Sequence, residues 1–360
     1  MAIVLKIQGG WLALSGPGIQ ERRPLETDDV DRLEGFAASY RKLLGKDNKQ
    51  PQLLTLGRQL YAWLDGNQRW LQRLREALIP PWVLEVRGPR SPEENEWSVL
   101  QAPWELLADE HGLLAQDAAL GFSPLRRLGE PTEPPKPSDH RLGLTFMAGA
   151  PRGPSELNYE AEENAILEAA GLGGIDLVVE DSGNPKILGA RLADLEAMSA
   201  LHLACHGDNA YRPRPSETPR PVLLLEDEEG NALPTDATSL VQTLGVHRPR
   251  LLALSACLSA AAPGQGKDNE ELADSLATAL IGAGLPAVLG WEGSVYDHEA
   301  TAFAQAFYEQ LANRQPLEVA ASVARQYRSA RLLLYYGLAS ISLVSRLNAI
   351  KSEFFTRVNQ

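Results

Sequence analysis

Two short stretches, Leu201–Gly207 (LHLACHG) and Leu251–Ala260 (LLALSACLSA), decide the fold. Each opens as an apolar run of strand length and reaches a residue able to do chemistry, His206 in the first and Cys257 in the second. Apolar runs bounded by Gly, Pro and charge read as buried strands of a parallel sheet. Open α/β sheets carry their working residues just beyond the carboxyl ends of such strands. An imidazole and a thiol delivered there by neighbouring strands make a nucleophile and its base.

Outward from these strands, the chain alternates strand and helix, the pattern of a right-handed parallel α/β sheet. Upstream lie a strand at Leu142–Ala148, a helix at Tyr159–Ala170, a strand at Ile175–Val179 and a helix at Pro185–Met198. Between the two deciding strands, Val222–Leu225 and Ala232–Leu233 form a hairpin across the acidic turn Glu226–Asn231, and Thr238–Leu244 a short helix. That turn reads as solvated, because its carboxylate spacing does not match an EF-hand loop. Downstream come a helix at Asn269–Ala283, a strand at Pro286–Leu289 and helices at Ala300–Ala312 and Leu317–Ala330. The tail from Leu332 is apolar, then charged and helical.

The boundary of this body is Glu130–Ser138 (EPTEPPKPS), whose four prolines favour an extended linker over regular structure. Before it, strands are expected at Ile3–Ile7, Trp11–Leu14, Trp82–Val86 and Gly121–Leu128, with amphipathic helices at Asp28–Leu44 and Leu53–Leu78. Within Leu100–Leu107 (LQAPWELL), Trp104 reads as a buried anchor and Glu105 as a cap or a partner of Arg126 or Arg127. The resulting division is an N-terminal lobe at 1–129, a linker at 130–139, the main body at 140–345 and a helical tail at 346–360.

Of six histidines, His206 has the strand-end setting a base requires. His202 shares its face but lies four residues deeper, which suits a buried structural role. His111, His140, His247 and His298 fall in loops or element ends, His298 being the nearest rival. Gly207, directly after the base, lets backbone approach a reacting carbonyl. The second cysteine, Cys205, alternates to the face opposite His206 and reads as buried filler. Neither cysteine belongs to a CxxC pair, so no metal and no cofactor is expected.

The pair HLACHG and LSACLSA closely resembles the signatures of the CHAT family, caspase-like cysteine peptidases of clan CD. The histidine of caspases lies about 50 residues before the cysteine, as it does here. Leu157–Leu167 (LNYEAEENAIL), Ala279–Trp291 (ALIGAGLPAVLGW) and Asp297–Tyr308 (DHEATAFAQAFY) also resemble that family's blocks, and a PWELL segment followed by PLRRL resembles its upstream region. The resemblance implies a caspase-like α/β fold, a mostly parallel sheet flanked by helices, with an N-terminal α/β pseudo-caspase-like lobe. It also implies a His206/Cys257 dyad and an oxyanion hole from the amides of Gly207 and Cys257. In caspases and metacaspases the residue two before the cysteine helps line the specificity pocket; here it is the small neutral Ser255. Asp208, Glu292 and Asp297 are candidate pocket acids, Trp291 a candidate wall, and Asp297 the one to test for basic specificity. The Gly-rich loop Ala261–Asn269 (AAPGQGKDN) reads as a segment that orders on activation or substrate binding.

Composition bounds the partners. With 34 basic and 47 acidic residues the formal net charge is −13, which argues against a general nucleic-acid or anionic-membrane binder. The opening MAIVLKIQGGWLALSG reads as a strand or hairpin rather than a signal peptide, and no apolar run approaches membrane-spanning length. A cytoplasmic setting follows as an expectation. Repeats of helical-array length are absent. The expected function is cleavage of a partner protein, in a bacterial antiviral defence or cell-death pathway by what the resemblance implies, with a sensor or regulatory chain as activator. The rivals are a non-catalytic CHAT scaffold and a dithiol redox protein using Cys205 and Cys257.

Overall fold

The computed structural model describes residues 2–44, 50–77, 79–131, 141–154, 157–195, 198–257, 259–260, 275–326 and 332–336. The amino-terminal part forms β1 (Ala2–Gln8), β2 (Trp11–Gly16), β3 (Ile19–Pro24), α1 (Thr27–Leu44), α2 (Gln50–Asp65) and α3 (Trp70–Ala77). It continues with β4 (Val83–Gly88), α4 (Glu94–Leu100) and β5 (Ser123–Leu128). Next come β6 (Leu142–Gly149), α5 (Tyr159–Ala170), β7 (Ile175–Glu180), α6 (Pro185–Asp194) and β8 (Met198–Tyr211). The hairpin β9 (Arg220–Glu226) and β10 (Ala232–Thr235) precedes α7 (Ala237–Leu244) and β11 (Leu251–Ser255). The remainder is α8 (Leu276–Gly282), β12 (Ala287–Trp291), α9 (Asp297–Ala312), α10 (Leu317–Gln326) and β13 (Leu332–Tyr336).

All of the strands join one sheet. Its centre is parallel: β7 pairs β6, β6 pairs β8, β8 pairs β11 and β11 pairs β12. Antiparallel β13 then bridges β12 to β5, so strands from both sides of the proline-rich segment share one hydrogen-bonded surface. Parallel strands covered on both faces are apolar on both faces, and the alternation can be followed residue by residue. Leu201, Leu203, Leu252, Leu254 and Val288 face the core under α7 and α8. Ala200, Ala204, Leu251, Ala253, Leu289 and Trp291 face the core under α5, α9 and α10.

Three differences from the sequence reading have physical causes. Strand β8 does not stop at Gly207 but runs to Tyr211, because the β9 arm supplies antiparallel partners for His206, Gly207 and Asp208. Strand β3 is polar along its length, IQERRP, yet pairs β2 at the sheet edge, where one face meets water. The segment Leu332–Tyr336, read as the start of a helical tail, is a strand filling the gap between β12 and β5. The linker residues 132–140, the loop 261–274 and residues 337–360 lie outside the described residues.

Several polar groups inside this body are matched to specific partners. Trp104 is fully buried and donates its indole N–H to the Val99 carbonyl at 2.9 Å. Glu105 pairs with Arg126, Oε2 accepting from Nη2 at 2.7 Å, while Arg126 also donates to the Leu100 and Ala102 carbonyls, each at 3.0 Å. Arg325 of α10 approaches the same carboxylate at 3.9 Å and donates to Ser123 Oγ. Within the acidic turn the Asp227 carboxylate accepts from the Asn231 and Glu229 amides, which hold its pKa below the usual range, while Glu226 accepts from the Ala150 amide.

Candidate active site

The register between the two central strands aligns Leu203 with Leu254 and Ala204 with Ser255. His206 follows two residues later on β8, and Cys257 lies two residues past the end of β11, in the turn that follows it. Parity puts His206 on the face of Ala204, toward α5 and α9, and both residues border the same cleft. They wall one narrow cleft together with Leu157, Asn158, Tyr159, Glu162, Ser255, Val295, Asp297 and Ala300. Its interior offers about 30 Å³, room for a water or two.

The thiol rests against the backbone that follows β12. The Val295 N–H donates to Cys257 Sγ at 3.4 Å, and Sγ lies 3.8 Å from the Val295 carbonyl oxygen. Gly207 sits so close to this turn that a Cβ built on it would stand 2.2 Å from the Cys257 carbonyl oxygen. Any side chain at 207 would therefore push the Cys257 backbone aside.

Beneath the cleft runs a buried polar chain. His202 is 4% exposed, stacks on Phe146, and meets Tyr308 Oη through Nδ1 at 2.9 Å and Glu162 Oε1 through Nε2 at 3.1 Å. The second Glu162 oxygen accepts from Ser255 Oγ at 2.9 Å. Burial, reinforced by Glu162, holds the Tyr308 hydroxyl well above its ordinary pKa, so it stays a donor. Glu162 was not singled out by the sequence reading. The available signal was helix phase: it lies three, four and seven residues before Ala165, Ile166 and Ala169, the buried stripe of α5.

The other residues singled out from sequence divide clearly. Ser255 and Asp297 line the cleft; Ser255 gives its hydroxyl to Glu162, and Asp297 Oδ2 accepts from the Asn158 amide at 3.1 Å. Asp208 lies on the β8 arm and turns back on the Ala210 amide. Trp291 is a core residue packed edge-on against Phe303, not a wall of the cleft. Glu292 is also outside the cleft wall, buried near Arg126, Glu105 and Arg41; burial pushes its pKa up to about 7. His298 is exposed and stacked on Tyr296. Cys205 is buried in the opposite core and its thiol is pushed up to about 12, first by burial and then by Glu162 and Cys257. Both cysteines are unbridged. Among the described residues, no group of three or more His, Cys, Asp and Glu is arranged to hold a metal ion, and no helix is long and apolar enough to cross a membrane.

The CHAT domain profile matches residues 68–332, and the chain belongs to the CHAT domain family. Among solved structures it is similar to the crystal structure of the Arg-specific cysteine proteinase gingipain R, with 12% identity and a TM-score of 0.47 over 96% of this chain and 78% of that one. It is also similar to the Saccharomyces cerevisiae separase–securin complex, with 14% identity and a TM-score of 0.43 over 86% of this chain and 22% of that one. A third likeness is to caspase-1 from Spodoptera frugiperda, with 12% identity and a TM-score of 0.35 over 60% of this chain and 97% of that one. No curated protein sequence matches the chain.

Proposed function

We propose that this CHAT-family chain is a cysteine endopeptidase that cleaves a protein substrate through a His206/Cys257 dyad. The observation supporting the reading is that His206 on β8 and Cys257, just past the end of the neighbouring parallel strand β11, wall one cleft. His206 takes the thiol proton as Cys257 Sγ attacks the scissile carbonyl carbon. The carbonyl π pair moves onto oxygen, where the Gly207 and Cys257 amides receive it. As the tetrahedral intermediate collapses, His206 returns the proton to the leaving amine, and water then hydrolyses the thioester. Val295 N–H, already directed at Sγ, is a further donor for negative charge on sulfur.

Specificity belongs to the cleft wall. With Ser255 spent on Glu162, Asp297 is the exposed carboxylate at the rim available to a basic side chain. The lobe at 1–129 supports the body at 140–345, and activation by a partner in a defence pathway follows the family resemblance. A dithiol mechanism is poorly served, because Cys205 faces the other core and its thiol resists ionisation.

A peptide library incubated with the wild-type chain and with Cys257→Ala and His206→Ala tests the reading. Wild type should cleave, and each substitution should lower the rate by about 10⁴-fold or more. Cleavage that survives Cys257→Ala refutes the dyad. A wild type that alkylates normally yet cleaves no peptide, alone or with its activating partner, favours the scaffold.

A further inference from the structure

Beyond their shared ladder, the dyad strands are bridged through their side chains by one carboxylate. Glu162 projects from α5 and places Oε1 on His202 Nε2 at 3.1 Å and Oε2 on Ser255 Oγ at 2.9 Å. His202 lies on β8 four residues before His206 and on the same face; Ser255 is the last residue of β11, two before Cys257. The two anchors therefore lie on the strand segments that lead into the two reacting groups. Neither anchor is slack: His202 is fixed from behind by Tyr308 of α9, and α9 packs along α5. With Tyr308 donating to Nδ1, the imidazole presents Nε2–H to Glu162, and Ser255 presents its O–H, so the carboxylate accepts on both oxygens.

We propose that Glu162 is the positioning residue of the dyad, a span that fixes the lateral and axial offset of His206 against Cys257. The proposal rests on reading those two residues as the reacting pair. It assigns the work to the span rather than to the charge, and a neutral isostere separates the two. In Glu162→Gln the amide oxygen still accepts from His202 and the amide nitrogen donates to Ser255 Oγ, which can accept. The bridge survives without its charge.

The test compares the full chain with Glu162→Ala, Glu162→Gln and Ser255→Ala. It measures kcat and KM on the best library peptide and the rate of Cys257 alkylation by iodoacetamide, mapped by mass spectrometry. Misplacing reacting groups by about 1 Å costs about 100-fold, so Glu162→Ala should lower kcat by about that factor with KM within about twofold. Glu162→Gln should recover to within about fivefold of wild type, and Ser255→Ala, which removes one arm, should lose about tenfold. Alkylation should follow the same order. Should Glu162→Ala fail to fold, Ser255→Ala slower than Glu162→Gln still supports the span, and the reverse order overturns it. A glutamine as damaging as the alanine overturns the span in favour of charge. A raised KM with unchanged kcat makes Glu162 a substrate contact, and a lower melting temperature with unchanged kinetics makes it packing. If the wild type cleaves no peptide, the peptidase reading fails, while the alkylation order still decides for the span and equal alkylation rates decide against it.

Discussion

Two buried glutamates, Glu105 and Glu162, are held in opposite ways. Glu105 is matched by guanidinium groups: Arg126 grips it, Arg325 stands 3.9 Å away, and all three side chains are 1% exposed. Glu162 is matched by an imidazole and a hydroxyl, with no guanidinium among its partners, and borders a cleft. The first arrangement ties β5, the Trp104 segment and α10 into one block. Strong ion pairing there makes the joint rigid and costly to break. The second links β8 and β11 with single hydrogen bonds, each worth about 1 kcal/mol net. The guanidinium pairing lies in the scaffold, and the imidazole and hydroxyl contacts lie beneath the cleft of His206 and Cys257.

The contrast can be broken at three points. Arg126→Met should leave Glu105 buried without its main partner and lower the unfolding free energy by about 3–5 kcal/mol. Urea denaturation reads this, and peptide cleavage below the new transition should stay near wild type. A third carboxylate, Glu292, is buried near Arg126 and Arg41, yet burial outweighs their attraction and has raised its pKa from 4.5 to about 7. Between those values the folded chain holds a proton that the unfolded chain has released, so stability falls as pH rises through the window. Glu292→Gln does not titrate. It should match wild type near pH 4.5 and exceed it by on the order of 2–3 kcal/mol at pH 8. Parallel urea midpoints across that range would refute this account of Glu292. Tyr308→Phe removes one neutral donor from His202 and should cost about 1 kcal/mol in the same assay. A loss as large as that of Arg126→Met would erase the distinction between the two networks.

Much of this was legible in the sequence. Apolar runs of strand length marked β6, β8, β11 and β12, and parity alone assigned His202 to the interior and Cys205 to the opposite face. Glu105 was expected to cap or to pair with Arg126 or Arg127, and Arg126 is its partner. What escaped was structure without an apolar signature. The arm of β8 beyond His206 reads GDNAY because it is half exposed, and β3 reads IQERRP because it lies at an edge. Leu332–Tyr336 looks like the start of a tail until its two sheet neighbours, distant in sequence, are known. Glu162 was hidden beside two acidic neighbours, Glu160 and Glu163, in EAEEN, where only helix phase picks out the residue facing inward.

The central claim is that His206 and Cys257 act as one unit. Its most direct test treats the wild-type chain and His206→Ala with a peptidyl acyloxymethyl ketone and maps the covalent adduct by mass spectrometry. A single adduct on Cys257, lost when His206 is replaced, is the expected result. Modification of Cys257 that proceeds equally fast without His206, or an adduct on another residue, would contradict it.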